Sequence, residues 1–200
     1  MGDRTVNLVV EDALSEAFSR RILAQASLES GIVYGKQGFG YIKTRLAGFN
    51  NGAKSASYFV LADLDQFQCP AGLWAEWLPN IRRHRNLIFR VAVREVESWL
   101  LADYESLKEY LGLKENNRYS NTDELPDPKR EFLSLALRSS KRTVREAVVF
   151  QNRDGTVYQG PDYNGALIGY VEKDWSLSAG MRRSNSLARA VRAVSRFAGA

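Results

Sequence analysis

The chain has one cysteine, Cys69, and one histidine, His84, among its 200 residues. A single cysteine excludes an intrachain disulfide. Neither residue stands at the spacing that a structural zinc site or a Cys–His nucleophile requires. No stretch approaches the roughly 18 apolar residues of a membrane-spanning helix, and the N-terminus shows no apolar signal core. The expectation is therefore a soluble, cytoplasmic protein without membrane engagement. Internal repeats and low-complexity tracts are also lacking. Acidic residues are missing from Ser176 to Ala200, where Arg182, Arg183, Arg189, Arg192 and Arg196 stand. A second basic run is Arg82-Arg83-His84-Arg85. Together with a formal net charge of +5, this distribution favours a polyanionic partner.

What is present is a set of short apolar runs that end in acids. Val6–Val10 runs into Glu11, Tyr58–Ala62 into Asp63-Leu64-Asp65, and Leu87–Val93 into Arg94-Glu95-Val96-Glu97. Short uninterrupted apolar runs are the signature of strands buried on both faces of a parallel sheet, and ligands bind beyond the carboxyl ends of such strands. If the three strands are neighbours, up to five carboxylates gather at one edge. Carboxylates at that density repel one another unless a cation sits among them, and oxygen ligands suit a hard divalent ion.

Helical periodicity fills the intervals. Ala13–Glu29 carries Leu14, Ala17, Phe18 and Ile22 on one face, and a short strand is expected at Gly31–Gly35. A flexible glycine loop over 35–40 then leads into a helix from Tyr41 to about Phe49, closed by an Asn50-Asn51-Gly52 turn. Helices are also expected over Trp74–Leu78, Val96–Leu111 and Arg130–Val149, and from about Ser186 to the end. Lys114–Lys129 reads as an irregular linker and Asn152–Asn164 as loop. Strand and helix alternating in this way imply right-handed crossovers and an α/β fold, a mostly parallel sheet flanked by helices. Residues 1–112 are expected to form that core. Residues 113–200 are expected to form a helical and loop extension packed on it, the whole being one domain.

In Asp63-Leu64-Asp65, strand alternation would turn both carboxylates to one side while Leu64 packs away. Glu11 and Asp12 would each suit a helix N-terminus, and Glu11 beside the Asp pair would also suit a metal ligand or general base. Either Glu95 or Glu97 could cap the following helix or pair with Arg94, and the other could serve a second cation. Arg182, Arg183 and Arg189, near the start of the last helix, are candidate phosphate contacts. Lys36 could reach a phosphate too, although its loop lacks the P-loop spacing and the Lys-Ser/Thr ending. Trp74, Trp77 and Trp99 lie on helix-like segments and are expected in the core.

Three stretches, Val9–Glu16, Val60–Asp65 and Arg90–Asp103, carry a resemblance, joined by Gly160–Tyr163 and Ser184–Leu187. The order of Glu at the first strand end and Asp-x-Asp at a later one resembles the TOPRIM domain of topoisomerases, bacterial primases and OLD-type nucleases. The longer stretches are similar to the TOPRIM-like domain of unknown function 4276 over nearly the whole chain. The resemblance implies a nuclease-like fold in which Glu11, Asp63 and Asp65 take the places of the acidic triad. Glu97 takes that of a further acidic signature residue. It implies Mg²⁺ or Mn²⁺ as cofactor and DNA or RNA as substrate, in a setting such as phage defence. Many relatives carry Glu-Gly where this chain has Glu11-Asp12. Asp12 would hinder backbone approach to a phosphate or add a ligand. The resemblance also fits a non-catalytic binding or regulatory module working with a partner ATPase. A haloacid-dehalogenase-type phosphohydrolase is a third reading; that family places its Asp-x-Asp on the first strand, unlike this chain.

Overall fold

The structure is a computed structural model that describes residues 5–116 and 119–199. In chain order its elements begin β1 (Thr5–Val10), α1 (Ala13–Gln25), β2 (Glu29–Gly35), α2 (Phe39–Gly52), β3 (Tyr58–Asp63), α3 (Pro70–Trp77) and β4 (Leu87–Ala92). They continue with α4 (Glu97–Ala102), α5 (Tyr104–Leu111), a 3-10 turn (Thr122–Glu124), α6 (Pro128–Leu137), α7 (Arg142–Val148), β5 (Val149–Gln151) and β6 (Val157–Gln159). Helices α8 (Tyr163–Lys173), α9 (Leu177–Arg183) and α10 (Asn185–Ala198) close the chain. Two compact units result, residues 1–93 with 186–200, and residues 94–185. The boundary expected at residue 112 thus falls inside the second unit, and α10 returns to the first.

The first unit is the α/β core expected from the apolar runs. Its sheet is four-stranded and parallel in the order β2-β1-β3-β4. The runs Val6–Val10 and Tyr58–Ala62 are the central strands, and β1, β3 and β4 are all largely buried on both faces. Val9, Val60, Ala62, Leu87, Phe89 and Val91 pack with Ile42 and Leu46 of α2 and Leu73 and Trp77 of α3. The alternate residues Leu8, Val10, Phe59 and Leu61 are fully buried on the opposite face, where α1 lies against β1, β2 and β3. Trp77 sits edge-on to Phe39 and Phe89, so this tryptophan is core, as its spacing implies.

Several boundaries differ from those expected. Helix α1 stops at Gln25 because Ser27 turns left-handed (φ 55) and the Leu28 and Ser27 amides donate to the carbonyls of Leu23 and Ala24. That is a Schellman closure built without glycine. It frees Glu29 to begin β2. Asn50-Asn51-Gly52, expected as a turn, is the last turn of α2. Buried Asn50 there accepts from the His84 amide at 2.8 Å and donates to the Arg82 carbonyl at 3.1 Å.

The glycine loop after β2 clasps the end of β1. The Lys36 amide donates to the Val10 carbonyl at 2.9 Å and the Gly38 amide to the Glu11 carbonyl at 3.0 Å. Gly35 has φ 105, and a Cβ there would lie 2.0 Å from the Val10 carbonyl oxygen. Gly35→Ala is therefore expected to cost about 2 kcal/mol, from left-handed strain plus that clash. Urea unfolding checks this, and an unchanged midpoint would contradict the clasp.

The second unit is mostly helical, with β5 and β6 forming an antiparallel hairpin. Trp99, Tyr104, Phe132, Tyr170 and Trp175 are its largest fully buried side chains, and the Trp175 indole donates to the Trp99 carbonyl at 3.0 Å. The single helix expected over Val96–Leu111 breaks at Asp103, whose carboxylate accepts from the Ser176 amide at 2.7 Å. The helix expected over Arg130–Val149 breaks at Ser139 and Ser140, whose hydroxyls donate to the carbonyls of Leu111 and Gly112. Helix α6 starts at Pro128, with Asp127 accepting from the Arg130 amide at 2.8 Å, so it takes in the end of the expected linker. Positions 117 and 118 of that linker lie outside the described residues. The loop expected over Asn152–Asn164 contains β6 and the first residues of α8. Among the described residues, no helix is long and apolar enough to cross a membrane.

Candidate functional site

Parallel pairing of β1 with β3 brings the chain just past Val10 and the end of β3 to the same sheet edge. Glu11 and Asp63 are both buried there, at 9% and 8% exposure. The Asp63 amide donates to Glu11 Oε1 at 3.0 Å, which orients the Glu11 carboxylate toward the end of β3. With the Glu11 carbonyl held by the Gly38 amide, this residue is fixed at both backbone and side chain. Two acids buried side by side at the carboxyl edge of a parallel sheet are costly unless each finds partners, and such placement is typical of functional sites.

Asp12 is the N-cap of α1: its carboxylate accepts from the Ser15 amide at 2.7 Å. Its role here is to start that helix. Asp65 lies two residues beyond the last strand position, half-buried and in left-handed backbone (φ 48). Strand alternation therefore does not relate it to Asp63. Leu64 packs inward as expected, and its amide donates to the Ala92 carbonyl at 2.9 Å.

Among the described residues, no three His, Cys, Asp or Glu side chains form a group able to hold a metal ion. A closed cage of the kind Zn²⁺ or Ca²⁺ takes is thus not built. Mg²⁺ is different, because it keeps several waters and is commonly held by one or two carboxylates together with substrate phosphate. Glu11 and Asp63 fit that smaller requirement.

The other candidate carboxylates belong to the second unit. Glu95 Oε1 lies 3.2 Å from the Lys129 ammonium, and its other oxygen accepts from the Lys129 amide at 3.3 Å, at the start of α6. Glu97 is 2% exposed, lies 3.5 Å from the same ammonium and accepts from the Tyr163 hydroxyl at 2.8 Å. Its Oε2 is buried without a hydrogen-bond partner. Burial pushes the Glu97 carboxyl up to about 7, against the pull of Lys129. Burial beside that carboxylate pushes the Tyr163 phenol well above its ordinary value. Where a second cation was expected at Glu95 or Glu97, the structure sets the Lys129 ammonium beside both. Neither Lys129 nor the role of Tyr163 was legible, since both lie far from Glu97 in sequence.

The basic candidates also separate. Lys36 pairs with Glu16 at 3.1 Å; burial would raise the Glu16 carboxyl, but Arg20 and Lys36 together hold it below its ordinary value. Arg182 donates to the Ser178 carbonyl of its own helix and Arg183 to the Ala102 carbonyl, both inside the second unit. Arg189 is exposed on α10 in the first unit.

Fold and site together define a parallel α/β protein with a buried acid pair at the carboxyl edge of its two central strands. No family model, curated protein or solved structure gives a significant match to this chain.

Proposed function

We propose that the chain is a divalent-metal-dependent nuclease, cleaving phosphodiester bonds of DNA or RNA at the Glu11–Asp63 edge. The observation that supports it best is the 3.0 Å bond from the Asp63 amide to Glu11, which pre-sets two buried carboxylates on adjacent strands. The likeness of these strand ends to the TOPRIM triad points the same way. Mg²⁺ or Mn²⁺ bound there would polarise the scissile phosphoryl group and acidify a water. In this reading Glu11 and Asp63 are the fixed ligands. Asp65, at a turn, is the adaptable third, joining when substrate arrives. In the same reading Glu11 could also accept the proton of the attacking water.

The test is incubation of purified protein with single- and double-stranded DNA and RNA in Mg²⁺, Mn²⁺ or chelator. Cleavage that requires the metal is expected; cleavage that persists in chelator would refute the metal role. A second reading, a regulatory module for a partner ATPase, is favoured by the absence of a three-carboxylate group among the described residues. It predicts Mg²⁺ binding by calorimetry with no turnover on any of the four substrates.

A further inference from the structure

The net positive charge of the chain resides in one unit. Lys and Arg outnumber Asp and Glu by 14 to 8 in the sheet unit, against 14 to 15 in the other. Within the sheet unit, residues 77–93 and 186–200 carry no acidic side chain, and the fold brings these two stretches together. The Val93 amide donates to the Ser186 hydroxyl at 3.4 Å, which sets the start of α10 at the carboxyl end of the edge strand β4. From there α10 runs past Arg90, an arginine in the middle of that strand. Arg189 and Arg196 are seven positions apart, so they share a helix face about 10 Å in length.

Arg83, Arg189 and Arg196 are exposed, and all three are charges that Arg90 feels; burial and those guanidinium groups hold Arg90 below its ordinary value. Among the described residues none of these four forms an ion pair, although pairs occur elsewhere on the surface. The Arg90 Nε is buried without a hydrogen-bond partner. At the amino end of β4, a groove of about 580 Å³ is lined by Lys54, Arg82, Arg83 and Arg85. Its loop is braced by the two Asn50 hydrogen bonds, so the cations are presented on a fixed frame.

We propose that this edge of the sheet unit is a track for the phosphate backbone of a nucleic acid strand, formed by Arg83, Arg90, Arg189 and Arg196 and continued by the Arg82–Arg85 groove. Like charges left together without counter-charges call for a polyanion. Their spread along β4, six residues or roughly 20 Å, suits a polymer better than a mononucleotide. An anionic bilayer fits less well, because the apolar face of α10 (Leu187, Val191 and Val194) is already buried. The track starts within a turn of the edge that carries Asp63, since Asp63 pairs with Ala92 at the end of β4. The proposal deepens the nuclease reading by giving the strand a path, and it rests on that reading only for the choice of nucleic acid over other polyanions.

Binding is measured in chelator, so that it is independent of cleavage. Anisotropy of a labelled single strand is followed against salt for wild type, for Arg83→Gln/Arg189→Gln/Arg196→Gln, and for the control Arg153→Gln/Lys173→Gln in the second unit. Circular dichroism verifies that each is folded. The triple variant is expected to lose at least about tenfold in affinity and to flatten the log–log salt slope by about 0.7 per arginine removed, roughly 2 in all. The control should stay within about twofold of wild type. Equal losses in both variants would overturn the track in favour of general charge attraction. Binding to anionic vesicles with the same arginine dependence, but not to oligonucleotide, would overturn it in favour of a membrane surface. Binding with the expected slope but no cleavage would leave the track and remove the nuclease; cleavage with an unchanged slope would do the reverse.

Discussion

Asp63→Asn lowers the metal-dependent cleavage rate by about a thousandfold, the largest effect expected of any single substitution in this chain. The substitution isolates the carboxylate, because it is the backbone amide of residue 63 that holds Glu11. Asparagine keeps that amide and nearly the same volume, so the Glu11 side chain stays where it is. The loss should fall on kcat. Oligonucleotide affinity in chelator should stay unchanged, since the proposed track lies on Arg83, Arg90, Arg189 and Arg196. Circular dichroism should show the variant folded, so that the loss reports on the carboxylate and not on the fold. Glu11→Gln behaves alike, its amide oxygen still able to accept from the Asp63 amide. The measurement is single-turnover cleavage in Mg²⁺ for both variants beside their melting curves. If Asp63→Asn kept more than about a tenth of the wild-type rate, a transition-state role for that carboxylate would be ruled out.

The parallel sheet was legible because its signal is local: the three apolar runs and the short Gly31–Gly35 segment coincide with its four strands. The acids after β1, β3 and β4 were legible for the same reason. What escaped depends on contacts distant in sequence or on backbone that the residue type does not announce. Ser27 closes α1 in a conformation usually signalled by glycine, so the helix was drawn too long. Asp103, Ser139 and Ser140 interrupt helices through bonds to Ser176, Leu111 and Gly112, none of which is a neighbour in sequence. Arg90 was visible as the one charge inside an apolar strand, yet its meaning needed α10, a hundred residues on, to return beside β4. Arg182 and Arg183 were grouped with Arg189 by proximity in the chain. The fold separates them, because the boundary between its units falls at residue 186.

The Glu97 pocket gives the second large effect, and its dependence on pH carries the argument. Lys129→Met leaves the buried Glu97 carboxyl beside Tyr163 with its cation gone; because that carboxyl takes up a proton near 7, losing this pair is expected to cost at most about 1.4 kcal/mol at pH 8. The folded-state value of Glu97, about 7, lies above its ordinary 4.5. A raised acid binds its proton more tightly in the folded state. Its contribution to stability is therefore fully present below pH 4.5 and is lost as pH rises through 7. For wild type, the shift corresponds to roughly 3 kcal/mol between those limits, before other groups are counted. Glu97→Gln should flatten that segment of the profile and gain relative to wild type at pH 8. Lys129→Met should cost less at pH 5, where Glu97 is protonated with or without its partner and only the half-exposed pair with Glu95 is lost, than at pH 8. In the double variant the two substitutions should not add, because each removes the same charge pair. Urea unfolding of the three variants at both pH values measures all of this. A Lys129→Met penalty of equal size at pH 5 and pH 8 would show that the lysine stem or its pair with Glu95, and not its charge beside Glu97, is what the pocket needs.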